Sequence, residues 1–278
     1  MSSNVYILNF LKGLKPDPKI SISEWAERER ILASSGAAEA GKYRLSRVPY
    51  CKEVMDTMSP FSPVVEEYIM KGTQLGFSEV ANNIAMYYMQ HVPTAVMLLM
   101  MTKDVALSHT KNKITPAIKA MPKLLSLITD AKQKDDAGGT LLKEFPGGYF
   151  RVVWAQSTAS YANASIRVLL IDDTDRFPDE IGEEGDPIKL AIKRTNSYGR
   201  KRKIFNNSTP TTKSKSKIYK GYLKGDQRHY YMPCPHCTPR EKEKQNIKNM
   251  VRFEFVHFHF EYDKDYRLKS DVAFVCPH

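Results

Sequence analysis

Nowhere does this chain hold an uncharged apolar run of the ~20 residues that a membrane-spanning helix requires. No basic n-region followed by an apolar h-region opens it either. Those two absences set the expectation of a cytoplasmic protein without a membrane partner. Cysteine is scarce: Cys51, Cys234, Cys237 and Cys276 are the only four in 278 residues. That is too few for a disulfide scaffold, and the CxxC pair among them points to metal or redox chemistry instead. Acidic residues are missing altogether from residues 189–224, which carry twelve Lys and Arg. A basic block of that purity suggests a polyanion partner, whereas residues 172–186 just before it hold eight acids. What is present is otherwise that of a globular protein, 42% hydrophobic and 26% charged with a net charge of +11. The length allows one large domain or two smaller ones.

The organising stretch is Lys71-Gly72-Thr73-Gln74-Leu75-Gly76-Phe77-Ser78-Glu79. Before it, residues 64–70 are β-branched and apolar enough for a buried strand. After it, apolar residues at 80, 84, 87 and 88 have helical spacing. A Gly-containing loop between a strand and a helix is where α/β proteins hold phosphate, because free N–H groups and the positive end of the helix dipole meet there. The standard phosphate loop reads GxxxxGK[ST]. Here Phe77 occupies the lysine slot and the loop is one residue short. Phe cannot neutralise phosphate. Lys71, at the other end of the loop, has a flexible stem that can bring its ammonium back over the phosphates. Ser78 is placed to ligate Mg²⁺.

Around this loop the pattern predicts a capping box at Ser21 and Glu24, a helix through Trp25 to Leu32, and a helix over 50–58. Arg47 and Tyr50, just upstream, are candidates to hold an adenine. Further strands are expected at 95–101, 150–155 and 167–171, with a helix from Thr102 to Pro116. Apolar strands separated by helical segments imply a parallel sheet with helices on both faces, and ligands in such sheets sit beyond the carboxyl ends of the strands. Both the loop and Asp172-Asp173 lie at such ends. Four apolar residues followed by two acids form a Walker B arrangement: Asp172 holds Mg²⁺, and Asp173 orients the attacking water. A strand from Ile204 then ends in Ser208-Thr209-Pro210, where small hydroxyls can couple hydrolysis to movement.

With these pieces in place the chain resembles the ATPase part of the lambda-type large terminase subunit of tailed phages. The matching segments are Trp25-Ala26-Glu27-Arg28, Arg47-Val48-Pro49-Tyr50, the loop at 71–79 and Ile171-Asp172-Asp173-Thr174-Asp175-Arg176-Phe177. They continue with Glu184-Gly185-Asp186-Pro187, Lys193-Arg194, Asn207-Ser208-Thr209-Pro210 and Cys234-Pro235-His236-Cys237. The resemblance implies ATP and Mg²⁺ as cofactors. It places Lys71, Gly72, Thr73, Gln74, Gly76, Phe77, Ser78 and Glu79 around the phosphates, Asp172 on the metal and Asp173 as the catalytic carboxylate. It implies ATP hydrolysis driving double-stranded DNA into a procapsid, in the host cytoplasm, by a homo-oligomeric ring working with a small terminase subunit and a portal protein. Two positions depart from the family pattern: Asp173 stands where Glu is usual, and Lys113-Ile114-Thr115-Pro116 has lysine where an arginine is usual, leaving the trans-acting finger unassigned. The family's nuclease domain has no counterpart among these residues, so the expectation is a motor fragment or a natural truncation, without the cleavage activity.

The expected architecture is an α/β P-loop NTPase with a mainly parallel β-sheet flanked by helices, plus a small Cys-containing C-terminal module. Its parts are a nucleotide-covering segment at 1–60, an ATPase core at 61–230 and an incomplete zinc-ribbon-like module at 231–278. Arg200, Lys201, Arg202 and Lys203 are the expected DNA-phosphate contacts. Cys234-Pro235-His236-Cys237 and Val275-Cys276-Pro277-His278 look like two halves of one Zn²⁺ site. Three cysteines leave it one ligand short, so weak or no zinc is expected, with His236 or His278 as possible replacements. Two rival readings are a helicase-like translocase on single strands, marked by stacking aromatics, and a zinc-ribbon DNA-binding module on an inactive ATPase scaffold.

Overall fold

The computed structural model describes residues 19–35, 39–128, 140–157, 159, 161–234, 237, 250–252, 257–269 and 271–276. The chain divides into two compact units, Met1–Gly225 and Asp226–His278.

The first unit is built on a six-stranded sheet in the order β3-β8-β7-β4-β6-β5. Its strands are β3 (Glu66–Met70), β4 (Ala95–Met100), β5 (Leu142–Phe145), β6 (Gly148–Trp154), β7 (Val168–Asp172) and β8 (Lys203–Ser208). All neighbours pair in parallel except β5 and β6. β4 and β7 are central and buried along their whole length. Because successive side chains point to opposite faces, their residues split between two cores. Val96, Leu98, Val168 and Leu170 pack on one face, where α3 (Phe77–Gln90) lies. Met97, Leu99, Leu169 and Ile171 pack on the other, with Ile188 and Ala191 of α7 (Pro187–Lys193). Apolar residues at nearly every strand position are what a doubly covered parallel sheet demands.

α1 (Ile22–Glu29) carries the expected capping box: Ser21 and Glu24 each bond the other's backbone N–H. Trp25 is fully buried, edge-on to Tyr87 of α3, so it is a core residue. α2 (Cys51–Thr57) and α1 pack against α3, which places the N-terminal segment in the same apolar cluster as the sheet. The short strands β1 (Ile31–Leu32) and β2 (Gly41–Lys42) pair antiparallel between them.

Three elements differ from expectation. β3 is an edge strand and only partly buried, because its outer edge has no strand partner among the described residues. The helix expected to stop at Pro116 continues: α4 (Lys103–His109) passes through a π turn at Thr110–Ile114 into α5 (Thr115–Lys119). Pro116 sits in the first turn of α5, where its missing N–H is tolerated. A short helix, α6 (Pro122–Leu125), follows. β5 was unexpected; it returns through a tight turn at Gly147 (φ +88°). Gly148 has to be glycine, since a Cβ there would lie 2.3 Å from the Thr94 carbonyl oxygen. The last helix of the unit is α8 (Lys217–Tyr222), packed on β3.

In the second unit, β9 (Met232–Pro233) pairs antiparallel with β10 (Met250–Val251), and β11 (Phe258–His259) with β12 (Ala273–Phe274). No helix among the described residues is long and apolar enough to cross a membrane.

Candidate nucleotide site

The loop at 71–76 leaves the carboxyl end of β3 and enters α3 at Gly76, whose φ of +78° needs a residue without a Cβ. Gln74 is also left-handed, at φ 60°. Residues 72–76 are exposed and lead into the first turn of α3, the end of a helix at which backbone N–H groups outnumber their intrahelical acceptors. Phe77 is buried, 6.0 Å from the Tyr50 ring, and belongs to the main apolar core. The Tyr50 hydroxyl donates to the Leu75 carbonyl at 3.1 Å. The slot that normally holds a lysine thus anchors the loop to the protein.

Lys71 sits where the loop meets three strand ends. Its backbone N–H donates to the Ser208 carbonyl. Its side chain is only 10% exposed, and Nζ lies 3.5 Å from Asp173 Oδ1 and 3.4 Å from Thr209 Oγ1. This convergence follows from strand order. β8 lies between β3 and β7, so the residues after β8 separate the loop from the carboxylates after β7.

Asp172 ends β7 and is buried, whereas the Asp173 side chain is 47% exposed. Asp173 has φ 57° and ψ 49°, a left-handed conformation that Asp tolerates better than most residues. That turn aims its carboxylate at Lys71. Burial raises the Asp172 pKa above the usual carboxylate range, with Ser78 and Asn207 working against the shift by hydrogen bonding. Its Oδ1 is buried with no hydrogen-bond partner. An orphaned carboxylate oxygen on Asp172, with the Ser78 hydroxyl acting on the same carboxylate, is a donor set that fits a hard, oxygen-seeking ion such as Mg²⁺. Asp175 is differently employed. Oδ1 accepts from the Ile218 N–H, and Oδ2 from the Thr211 N–H and hydroxyl. Burial works to raise its pKa, but hydrogen bonding with Ser216, Ile218 and Thr211 outweighs it and leaves the pKa lowered. Asp175 ties the start of α8 to the turn after β7.

Some expected site residues are placed elsewhere. Glu79, in the first turn of α3, does not reach the loop mouth: Oε2 pairs with Arg30 at 2.8 Å and Oε1 lies 3.6 Å from Lys113. Arg47 forms an exposed pair with Glu39. Lys203 is buried and its ammonium donates to the carbonyls of Thr57, Ser62 and Val64, so it is a structural clamp and not a surface contact for DNA. Burial lowers its pKa to about 8. Arg202 pairs with Glu66 and Asn196. Arg200 and Lys201 are exposed, at the start of β8 and hence at the opposite edge of the sheet from the phosphate loop. Ser208 is buried, its hydroxyl accepting from the Asp175 N–H, while Pro210 is exposed.

Sequence reasoning missed a buried polar network beside α3. The Arg30 guanidinium, 1% exposed, donates through Nε to Asn83 Oδ1 at 2.9 Å, through Nη2 to Glu79 and through Nη1 to the Ile31 carbonyl. Next to it, Asn82 Oδ1 lies 2.9 Å from His109 Nε2. Two adjacent amides in an otherwise apolar helix were the available signal, since a buried amide demands partners.

A phosphate loop and a buried–exposed carboxylate pair, held at the carboxyl edge of one parallel sheet with a strand between them, define a P-loop ATPase fold. The family model described as "Phage terminase large subunit gpA, ATPase domain" matches residues 37–278. The chain belongs to that family. It is 24% identical over 236 residues to the large terminase subunit of Escherichia phage lambda, and 23% identical over 227 residues to that of Enterobacteria phage P21. Those alignments cover 84% and 81% of this chain but 35% and 34% of the two relatives, so the chain spans about a third of their length. Among solved structures, the HK97 bacteriophage large terminase superposes with a TM-score of 0.56 at 12% identity, over 73% of this chain and 41% of that one. That likeness concerns the fold.

Proposed function

We propose that this chain is the ATP-hydrolysing motor of a phage DNA-packaging terminase, coupling hydrolysis of ATP with Mg²⁺ to movement of double-stranded DNA into a procapsid. The observation that carries the reading is the Lys71 ammonium, held between Asp173 and Thr209 at the mouth of the loop. Lys71 neutralises the terminal phosphates from the start of the loop, and the N–H groups of Gly72 to Ser78 bind their oxygens. Ser78 and Asp172 hold the Mg²⁺, which supplies charge neutralisation when bound. Asp173 orients the attacking water and accepts its proton in a phosphoryl transfer that is mostly positioning and electrostatics. The Lys71–Asp173 pair has to part for both roles, so the arrangement seen here is the resting one. Tyr50 backs the loop on the nucleotide side. Thr209 and Pro210 follow Ser208 between the two halves of the site and pass its state to the segment beyond β8.

DNA is engaged through its phosphates by exposed basic residues, Arg200 and Lys201 foremost, without base readout. The working form is a homo-oligomeric ring in the host cytoplasm, in which a neighbour supplies the missing cation, together with a small terminase subunit and a portal protein. The test is an ATPase and nucleotide-binding assay on the purified chain and on Lys71→Ala. The expected result is Mg²⁺-dependent hydrolysis, lost in the variant while its circular dichroism is kept. Wild-type hydrolysis by Lys71→Ala overturns the assignment.

A further inference from the structure

Among the described residues of the second unit only Cys234 and Val251 are buried. Tyr230, Tyr231, Met232, Tyr262, Leu268 and Val275 all stand exposed. Domains as small as Asp226–His278 lean on disulfides, metals or a partner, and the burial among the described residues of this unit is slight. The paired strands β9–β10 and β11–β12 are two residues long on each side and add little.

One feature ties these pieces together. The Sγ atoms of Cys234, Cys237 and Cys276 lie within 4.8 Å of one another. Cys276 Sγ is 3.4 Å from Cys234 and 3.3 Å from Cys237, although the sequence separations are 42 and 39. These distances exceed a disulfide bond of about 2.05 Å, and all three cysteines are free. They approach the roughly 3.8 Å between ligands that a tetrahedral ion with metal–sulfur bonds of about 2.3 Å imposes. Cys234 directly follows β9 and Cys276 lies just after β12, where the Val275 N–H bonds the His257 carbonyl. Each hairpin therefore delivers a thiol to one point.

We propose that Cys234, Cys237 and Cys276 together bind one Zn²⁺, and that this ion is the staple of the second unit. A soft, all-sulfur donor set selects zinc over magnesium or calcium. Three thiolates already overbalance the ion's charge, which suits a neutral donor, a histidine or water, in the fourth position. The sequence expectation of weak or no zinc rested on counting ligands; the proposal rests instead on the convergence of three of them in space. The inference is independent of the ATPase reading.

The test uses the whole chain, expressed with and without Cys276→Ser, with Cys51→Ala as a control in the first unit. Metal content is measured after gel filtration, and Co²⁺ is then exchanged in. The expected result is one Zn²⁺ per chain, a tetrahedral thiolate–cobalt spectrum, loss of both in Cys276→Ser and retention of both in Cys51→Ala. Hydrogen exchange should quicken in residues 226–278 on chelation, while nucleotide binding by the first unit stays unchanged. A chain without metal and without a cobalt spectrum overturns the proposal, as does bound iron. A thiol count of two instead of four in denaturant, reporting a disulfide within the cluster, overturns it as well.

Discussion

Replacing Arg30 by methionine keeps most of the side-chain volume and removes the charge, which makes it a direct probe of the buried network beside the phosphate loop. The guanidinium is 1% exposed and engages Glu79, Asn83 Oδ1 and the Ile31 carbonyl. Truncating one partner of a buried ion pair costs about 3–5 kcal/mol, mostly because the other charge is left without compensation. Glu79 is better off than that limit: its side chain is 21% exposed and it keeps Lys113 at 3.6 Å. The lower end, about 3 kcal/mol, is therefore expected, and for a domain of this size that lowers Tm by roughly 6–12 °C. Arg30 and Glu79 also join the N-terminal segment to the first turn of α3, the turn proposed above to bind the phosphates. KM for ATP should rise more than kcat falls. The assay is urea unfolding with ATPase kinetics on Arg30→Met, Glu79→Gln and the double variant. A coupling energy within about 0.5 kcal/mol of zero refutes the argument, because contacting charges do not behave additively.

Three further outcomes follow from the same geometry. Asp173→Asn should bind ATP and hydrolyse it about 10²–10⁴-fold more slowly, whereas Asp175→Asn should lower Tm and leave the chemical step closer to normal; single-turnover kinetics and a melt separate them, and the opposite pattern makes Asp175 the base. His109 is held neutral by burial, which lowers its pKa from 6.5 to about 4 against Glu79, which opposes the shift, and Lys113, which adds to it. The unfolded chain then takes up a proton that the folded chain refuses, so His109 makes stability fall as pH drops from about 6.5 to about 4; His109→Gln should flatten that part of the stability curve, and an unchanged slope contradicts the assignment. Arg200→Ala with Lys201→Ala should weaken DNA binding at all sequences alike and reduce the salt dependence by up to about two phosphate contacts; an unchanged slope in a salt titration removes this edge of the sheet from the DNA surface.

Much of the fold was legible because a doubly covered parallel sheet writes itself as separate apolar runs. Residues 95–100 and 168–171 could hardly be anything else. β5 was not legible: Leu142-Lys143-Glu144-Phe145 has no apolar run, and its place is set by the Gly147 turn and by pairing with β6. The π turn was hidden too, since Pro116 normally ends a helix and here is absorbed by a locally widened one. At the site, Lys71, Asp172 and Asp173 were picked out from loop chemistry and strand ends. Sequence gives a charge but not its burial, so it could not show that Glu79 is tied to Arg30 or that Lys203 lies inside. A lysine beside three other cations reads as surface, yet β8 is buried at every position and Lys203 caps three carbonyls inside.

The proposed assignment of the phosphate lysine to position 71 has a structural reason. In the usual loop the lysine is carried by the helix start and folds back over the phosphates. Here that position points into the core, where Phe77 packs with Tyr50 and the Tyr50 hydroxyl fastens the Leu75 carbonyl. A charge at 77 would be buried without a partner, at a cost far above any gain in phosphate binding. The positive charge has to come from a residue whose stem starts outside the core and whose head can reach the same point. The last position before the loop satisfies both conditions, since it lies at the strand's carboxyl end with β8 beside it and Asp173 one strand further on. Moving lysine back to the standard slot should therefore fail. Lys71→Ala combined with Phe77→Lys should not recover hydrolysis and should be less stable than Lys71→Ala alone, both measurable in one ATPase and thermal-melt series. Recovery of hydrolysis by that double variant would show that the two positions are interchangeable, and with it that burial of Phe77 is not what moved the lysine.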